Sequence, residues 1–173
     1  RIGSEGMELK NEVTNNSGLE TIARVGQSFR LPAAFDTLTW YGKGPWETYA
    51  DRKDAALIGL YTSSVAEQHV PFAVPCECGG HEDTRFAALS DGTHTVQIVG
   101  SDDFHFSALP YSIAEYRKAT YEEELPEQTT GTWLILDVAH AGLGGDTGWT
   151  KNIHPEYRVC KGRYSYTFRF HFA

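Results

Sequence analysis

Among the residues that could bind a ligand, a tryptophan in a glycine-rich segment is the most informative. Trp149 lies in the run Ala141-Gly-Leu-Gly-Gly-Asp-Thr-Gly-Trp-Thr150, in which glycine supplies four of the seven residues before the tryptophan. Such a backbone reaches conformations closed to other residues, but it buries little surface of its own. We therefore expect the indole to serve a ligand, with packing in a core or an interface as the alternative.

Three soft ligand atoms lie close together in Cys76-x-Cys78-x-x-His81. A structural zinc site needs four ligands, which usually come as two pairs, and the sequence contains no second pair. The seven histidines are scattered, and none falls in the spacing of a zinc protease, a serine hydrolase elbow or a phosphate-binding loop. We expect no metal site and no nucleophile from these motifs.

Paired carboxylates occur at Glu82-Asp83 and Asp102-Asp103, and three glutamates run from Glu122 to Glu124. A retaining glycosidase needs two carboxyl groups about 5 to 5.5 Å apart across one bond, a separation that sequence does not show. We assign no catalytic residue in this chain. The run of glutamates is interpreted as a solvated helix end.

The segment from Trp40 to Lys53 combines tryptophan and tyrosine with glycine and proline. Glycine and proline impose a tight path, while rigid aromatic side chains with polar tips pack well beneath a site or an interface. A scaffold loop is the favoured interpretation, and direct ligand contact is the alternative. Asp51, with Arg52 or Lys53, is expected to fix this loop through charge-assisted hydrogen bonds.

The elements that must position these residues are mostly strands. Aromatic and polar residues alternate without a break over 164–172, as they do in a strand with one face on a core. A capping box at Ser112 and Glu115 predicts one helix over 112–123. Strands 7–13 and 22–29 are expected to form a hairpin. Further strands are predicted at 37–41, 86–89, 93–99, 104–108, 132–138 and 157–159. This spacing favours an antiparallel sandwich.

Composition limits the classes of partner. The 173 residues fit one domain, 1–173, and 23 acidic against 15 basic side chains give a net charge of −8. This charge argues against nucleic acid and anionic membranes, but it leaves a sugar compatible. Three cysteines suggest reduced thiols. No apolar run is long enough for a membrane span or a signal peptide. The chain begins without methionine, so we expect a piece of a longer protein.

Four motifs carry a family resemblance when they are taken in order. They are Trp40-Tyr-Gly-Lys-Gly-Pro-Trp-Glu-Thr-Tyr-x-Asp-Arg-Lys53, then Pro75-x-Glu77-x-Gly79 with Arg85, then Phe106-Ser-Ala-x-Pro-Tyr-Ser112, and Gly142-Leu-Gly-Gly-Asp-x-x-Trp149. From residue 1 to residue 172 the chain resembles the C-terminal domain of the lac-type β-galactosidases of glycoside hydrolase family two. Trp40, Trp46, Asp51, Arg52, Glu77 and Arg85 belong to these motifs as structural residues.

The resemblance implies an all-β fold, an antiparallel β-supersandwich of the galactose-mutarotase-like type with one short helix. The opening segment of that domain has no counterpart here, so we expect the first strands to be missing. Strand edges and apolar surface should then be exposed, and the chain could associate with itself through them.

The resemblance also implies that the catalytic residues and this chain belong to different domains of the parent enzyme. The catalytic glutamates and the magnesium site belong to a central barrel outside this chain, so the chain alone should be inactive. Trp149 is expected to act as a sugar platform, and Asp146 to hold its loop. The parent enzyme is expected to need magnesium and a monovalent cation and to be a homo-oligomer. We expect it in the cytoplasm, with periplasmic or secreted forms as alternatives.

One stretch departs from the family pattern. The family usually reads Pro-Gln-Glu-Asn-Gly, whereas this chain has Cys78 in place of the asparagine. A role of that asparagine is therefore in doubt, while Glu77 and Arg85 keep a structural role. Two alternatives stay open for the chain. It could be an aldose epimerase, with a histidine and a carboxylate as acid and base, or a stand-alone carbohydrate-binding or assembly module.

Overall fold

The computed structural model describes residues 2–3, 6–144 and 152–173. Most of its regular secondary structure consists of strands. The elements, in chain order, are β1 (Ile2–Gly3), β2 (Gly6–Thr14), β3 (Thr21–Ile22), β4 (Arg24–Leu31), β5 (Thr37–Gly44), β6 (Leu57–Ser64), β7 (Gly80–Ser90), β8 (Thr95–Leu109), α1 (Ile113–Lys118), β9 (Thr132–His140), β10 (Val159–Cys160) and β11 (Arg163–Phe172). Short 3₁₀ helices cover Ala66–Gln68, Glu122–Glu124 and Pro155–Tyr157.

Every strand pair among the described residues is antiparallel. The main sheet runs β1-β2-β11-β8-β7-β5-β6, and β9 joins it through β8 and carries β4 on its other side. The short strands β3 and β10 pair separately. The all-β antiparallel class predicted from the sequence is confirmed.

Strand β8 belongs to two layers. Its first part, 96–100, pairs with β11, whereas its second part, 105–109, pairs with β9. Strand β4, which pairs with β9, lies against the face of β11, since the rings of Phe29 and Phe170 meet edge to face with centroids 5.1 Å apart. A strand that passes from one sheet to another makes a corner between packed sheets. This arrangement is consistent with the expected sandwich.

The main core lies between these layers. Strand β11 contributes Tyr166, Phe168 and Phe170, the buried members of its alternating pattern, and their neighbours across the core include Phe104 and Phe29. The predicted strand 164–172 is therefore confirmed as β11. A second, smaller apolar cluster packs under α1 around Cys78, Leu109, Tyr116 and Leu125.

The predicted hairpin of 7–13 with 22–29 is wrong. Strand β2 pairs with β11 in the register Leu9↔Phe168 and Val13↔Tyr164, while β4 pairs with β9. The residues after β2 leave the strand as predicted, but the chain then continues into the short strand β3, which pairs with β10 and not with β2. Strand β11 provides β2 with a longer partner whose aromatic face is already buried.

Several predicted boundaries also change. The capping box at Ser112 is present, but α1 ends at Lys118, since Ala119 is extended and Glu124 accepts a hydrogen bond from the Thr120 amide at 2.7 Å. Predicted strands 93–99 and 104–108 are one bent strand, β8. Predicted strand 157–159 is a 3₁₀ turn followed by β10.

Strand β6 was not predicted, and it carries exposed apolar surface at the edge of the sheet. Leu57 is 75% exposed, and Ile58 and Leu60 are also exposed. Its sequence does not alternate, because it lacks a buried face over its first residues. The expectation of exposed apolar surface at a strand edge agrees with this strand. Among the described helices, none is both long and apolar enough to cross a membrane.

Candidate functional site

The start of the glycine-rich segment is tied down by Asp51. The Asp51 carboxylate accepts hydrogen bonds from the amides of Leu143, at 3.0 Å, and Gly144, at 2.6 Å. The Gly142 amide donates to the carbonyl of Tyr157 at 2.9 Å. A Cβ atom on Gly142 would lie 2.6 Å from the Asp51 carboxyl group, so only glycine allows this approach. The backbone that leads toward Trp149 is therefore fixed to the loop after β5.

The charged residues beside Asp51 fix the same loop at other points. Arg52 pairs with Glu47, whose other oxygen accepts from the Gly79 amide at 2.8 Å. Lys53 pairs with Asp83 at 2.8 Å. The prediction was that Asp51, with Arg52 or Lys53, fixes the loop. Each of these residues makes charged contacts, but the partner of Asp51 is the glycine-rich backbone.

The two tryptophans of the aromatic segment differ in burial. Trp40 is 1% exposed, and its indole nitrogen donates to the carbonyl of Lys43 at 3.0 Å. Its ring packs on His81 with centroids 4.2 Å apart. Trp46, in contrast, is 59% exposed. The scaffold interpretation fits Trp40, while Trp46 lies at the surface beside Asp51 and Arg52 in a shallow cleft.

A cluster of charged and imidazole groups lies behind the anchored segment. The Nη2 atom of Arg24, at the start of β4, lies 2.8 Å from Glu77 Oε1 and 2.6 Å from His140 Nε2. His140 ends β9, and its Nδ1 donates to the carbonyl of Ala141 at 2.7 Å. Glu77 precedes β7 in the Pro-x-Glu-x-Gly motif. Three distant segments of the chain thus place a guanidinium, a carboxylate and an imidazole in contact.

A second histidine extends the cluster into the core. The ring of His105, in β8, stacks on that of His140 with centroids 4.4 Å apart, and its Nδ1 lies 2.8 Å from Glu82 Oε1. Tyr49 packs against both imidazoles, and its hydroxyl accepts from the Gly80 amide at 3.2 Å. The aromatic segment therefore supports the cluster from below.

Burial sets the protonation of these groups. Desolvation lowers the pKa of His105 and of His140 to about 3, with the nearby Arg24 charge acting in the same direction. Desolvation raises the pKa of Glu82 to about 7, although the Lys53 charge opposes this rise. Both imidazoles are therefore neutral at physiological pH.

Asp137 is the most deeply buried carboxyl group of this region. It is fully buried in β9, and the Arg24 Nε atom lies 3.6 Å from its Oδ2. Neither carboxyl oxygen has a hydrogen bond among the described residues. Burial raises the pKa of Asp137 to about 7, although Arg24 favours the charged form.

This shift predicts a pH-dependent effect of Asp137→Asn. The folded pKa of Asp137 is above the ordinary value of 3.8, so the folded state holds an extra proton between about pH 4 and pH 7. The stabilising contribution of the proton on Asp137 is fully present below about pH 4 and is lost as the pH rises through about 7. The variant should therefore gain stability relative to the wild type by up to about 1.4 kcal/mol per pH unit in that window.

Urea unfolding of both proteins from pH 4 to pH 8 measures this difference. The matched control is Asp103→Asn, because Asp103 is an exposed carboxylate in the same sheet. A constant difference between Asp137→Asn and the wild type across the range would contradict the assignment.

The cluster borders a cleft of about 630 Å³. The walls of the cleft are 19–24, Glu77, His140, 141–143 and 152–153. The anchored start of the glycine-rich segment is thus one wall, and the Arg24, Glu77 and His140 contact is another. Trp149 and Asp146, the predicted sugar platform and its support, lie outside the described residues.

The remaining motif residues lie away from this cleft. Arg85 pairs with Asp103 at 3.5 Å and lies over the ring of Tyr41. His81 is buried and hydrogen-bonded to Gln68 at 2.6 Å, whereas Cys76 is exposed. Cys78, which replaces the family asparagine, is buried beside the Tyr116 hydroxyl. The two cysteines and His81 therefore lie in three different surroundings.

Sequence reasoning missed part of the cluster. Arg24, His105 and His140 fall in no motif, and they lie on different strands. His140 stands two residues before the glycine-rich motif, and His105 stands directly before the motif that begins at Phe106. These neighbouring motifs were the signals in the sequence. Glu122, interpreted as part of a solvated helix end, instead accepts from His69 at 2.6 Å.

Comparison with known proteins identifies the family. The sequence model of the family described as the beta galactosidase small chain matches residues 1–170. The chain belongs to this family. It is similar to a beta-galactosidase of Vibrio cholerae, at 38% identity over 95% of this chain, and to one of Priestia megaterium, at 36% over 93%. It is also similar to Beta-galactosidase 2 of Enterobacter cloacae, at 40% over 84%.

This beta-galactosidase small-chain domain spans about 15% of the length of those relatives, which are therefore much longer proteins. The family resemblance read from the four motifs is confirmed. The Asp51 anchor and the cluster around Arg24 are both features of a domain that, in the relatives, forms a small part of a beta-galactosidase.

Proposed function

We propose that this chain is the C-terminal domain, 1–173, of a retaining β-galactosidase that hydrolyses terminal β-D-galactosides such as lactose. The family match and the small share of each relative that it covers support this proposal. The catalytic glutamates belong, in this proposal, to another part of the parent enzyme. This domain contributes Trp149 as a platform for the sugar and Asp146 as support for its loop.

The anchoring of the glycine-rich segment carries the proposal. Asp51 holds the amides of Leu143 and Gly144, five or six residues before Trp149, beside a cleft large enough for a sugar. Two amides bound to one carboxylate give the segment a fixed starting point and direction. A loop that served only as a flexible linker would not need such an anchor.

An indole suits the role chemically. A pyranose presents axial C–H groups on one face, and a flat ring covers that face without a hydrogen bond from the sugar. Such an aromatic contact contributes about 0.5 to 1.5 kcal/mol beyond plain burial, a gain in affinity of roughly two- to twelvefold. It also tolerates varied leaving groups, because it reads a face and not a hydroxyl pattern.

The remaining features of the parent are part of the same proposal. We expect a magnesium ion and a monovalent cation in the parent, held outside this domain, and a homo-oligomeric assembly in the cytoplasm, with export as the alternative. The rest of the parent chain is the main partner of this domain. The net charge of −8 makes nucleic acid and anionic membranes poor partners.

One observation favours a second candidate, an aldose epimerase. His140 Nε2 and Glu77 Oε1 lie 3.7 Å apart beside the cleft, and an imidazole and a carboxylate are the acid and base that such a reaction needs. Arg24 already contacts both atoms, which makes this candidate weaker. Polarimetry on α-galactose with the isolated chain tests it, and an unaccelerated rate would exclude it.

Tryptophan fluorescence during titration with galactose and lactose tests the carbohydrate-binding module, which requires saturable binding.

Trp149→Ala in the full-length enzyme tests the main proposal. We expect roughly tenfold weaker binding of the sugar that enters or leaves the site, since the indole platform is lost, and unchanged thermal stability. Steady-state kinetics on lactose and on a small aryl galactoside provide the measurement. Trp149→Tyr is the matched control, because it keeps an aromatic face and should retain most of the activity. Unchanged kinetics of Trp149→Ala with both substrates would refute the platform.

A further inference from the structure

On two histidines of the cluster the contacts of Nδ1 leave the lone pair on Nε2, and on His140 this lone pair accepts a hydrogen bond from Arg24. His140 Nδ1 donates to the Ala141 carbonyl, and this fixes the lone pair on its Nε2. His105 Nδ1 faces Glu82 at 2.8 Å, so we assign its proton to that nitrogen and its lone pair to Nε2. A carbonyl or a carboxylate on Nδ1 is the usual outer partner of a metal-binding histidine.

The ligand atoms are close enough to share one ion. One ring nitrogen each of His105 and His140 and a carboxylate oxygen of Glu77 all lie within 4.8 Å of one another. Glu77 Oε1 and His140 Nε2 are 3.7 Å apart, close to the roughly 3.4 Å that tetrahedral bonds of 2.0 to 2.1 Å require. Because the rings of His105 and His140 are stacked, one of them must turn out of the stack before both lone pairs can reach the same ion.

His105 provides independent evidence that a ligand binds between these three side chains. Its side chain is 97% buried, and its Nε2 has no hydrogen-bond partner among the described residues. A buried polar atom without a partner is uncommon and calls for an explanation. A bound cation at the focus of the three side chains would provide the missing partner.

Arg24 shows that this focus attracts positive charge. Its Nη2 atom lies 2.6 Å from His140 Nε2 and 2.8 Å from Glu77 Oε1, so a cationic group already contacts two of the three ligands. Arg24 also lines two clefts, of about 370 and 630 Å³. It therefore has space into which the guanidinium can move.

We propose that Glu77, His105 and His140 form a binding site for one Zn²⁺-like divalent ion, and that Arg24 competes with the ion for these ligands. Two imidazoles and one carboxylate suit Zn²⁺ and Co²⁺ better than Mg²⁺ or Ca²⁺, which prefer oxygen ligands. Three protein ligands leave one tetrahedral position for water. This site is separate from the proposed sugar platform, and its test uses no galactoside.

Titration of the 173-residue protein with Co²⁺, followed by visible absorption, tests the site. We expect bands of four-coordinate Co²⁺ with one ion bound per chain, reversed by an equal amount of Zn²⁺. Glu77→Gln and His105→Gln should each weaken binding by at least about 100-fold, since each removes a ligand. His94→Gln is the matched control, because His94 is exposed and lies away from the cluster.

Arg24→Met tests the competition. Removal of the guanidinium should strengthen Co²⁺ binding by about tenfold, because the ligands are then free a larger fraction of the time. The thermal unfolding of each variant, with and without Zn²⁺, shows whether it is folded and whether the ion stabilises it. Should Arg24→Met not fold, the Glu77 and His105 variants decide the matter. The proposal is overturned by absent Co²⁺ bands, or by wild-type affinity in both ligand variants.

Discussion

Trp40→Ala should lower the free energy of unfolding by about 3 to 5 kcal/mol, the range for loss of a large aromatic side chain from a core. Trp40 is almost fully buried, and its ring touches those of Tyr61, His81 and Phe106. The substitution also removes the donor that binds the carbonyl of Lys43. The neighbouring rings belong to three other strands or their ends, so the cavity cannot collapse easily.

Urea unfolding of the isolated chain measures this loss. Trp46→Ala is the matched control, because it removes the same side chain from an exposed site six residues away, and its effect should stay within about 0.5 kcal/mol. Trp40→Phe should fall between the two, since it keeps part of the ring but not the indole donor. Equal losses of stability for Trp40→Ala and Trp46→Ala would show that the buried packing of Trp40 does not stabilise the fold.

Asp51→Ala is expected to have the second large effect. Its carboxylate binds two backbone amides, and hydrogen bonds to a charged group contribute about 1.5 to 3 kcal/mol each. Because part of the segment can rebind to water, we expect a loss of stability of about 2 to 4 kcal/mol. Asp51→Asn keeps one acceptor oxygen and should lose about half as much.

The same variant separates positioning from folding in the full-length enzyme. If Asp51 acts through Trp149, Asp51→Ala should weaken galactoside binding by about the same roughly tenfold factor as Trp149→Ala, and the double variant should be no worse than either. Steady-state kinetics of the three variants complete this double-mutant cycle. Additive losses would mean that Asp51 acts independently of the tryptophan, and would remove the anchor from the proposed mechanism.

The elements that sequence predicted well are those that a local pattern determines. The alternation of 164–172 is visible without any partner, and the capping box at Ser112 involves only neighbours, so both β11 and the start of α1 were found. The hairpin of 7–13 with 22–29 failed for the opposite reason. The choice of partner for β2 depends on β11, which lies about 150 residues away in the sequence.

The candidate site was only partly predictable. Asp51 and the glycine-rich segment stood out because their motifs are long and specific, although the hydrogen bonds between them were not foreseen. Arg24, His105 and His140 come together only when β4, β8 and β9 pair. No spacing in the sequence marks such a cluster, because each member is a single residue in an otherwise ordinary strand.

The position of β11 also constrains how this domain is made. Strand β11 lies between β2 and β8, so β2 leaves the ribosome about 150 residues before its neighbour exists. At about 5 to 20 residues per second, this delay lasts roughly 8 to 30 seconds. During that time β2 has an unpaired edge, open to other nascent chains. Synthesis of β11 therefore sets the earliest moment at which β2 and β8 can be joined in one sheet.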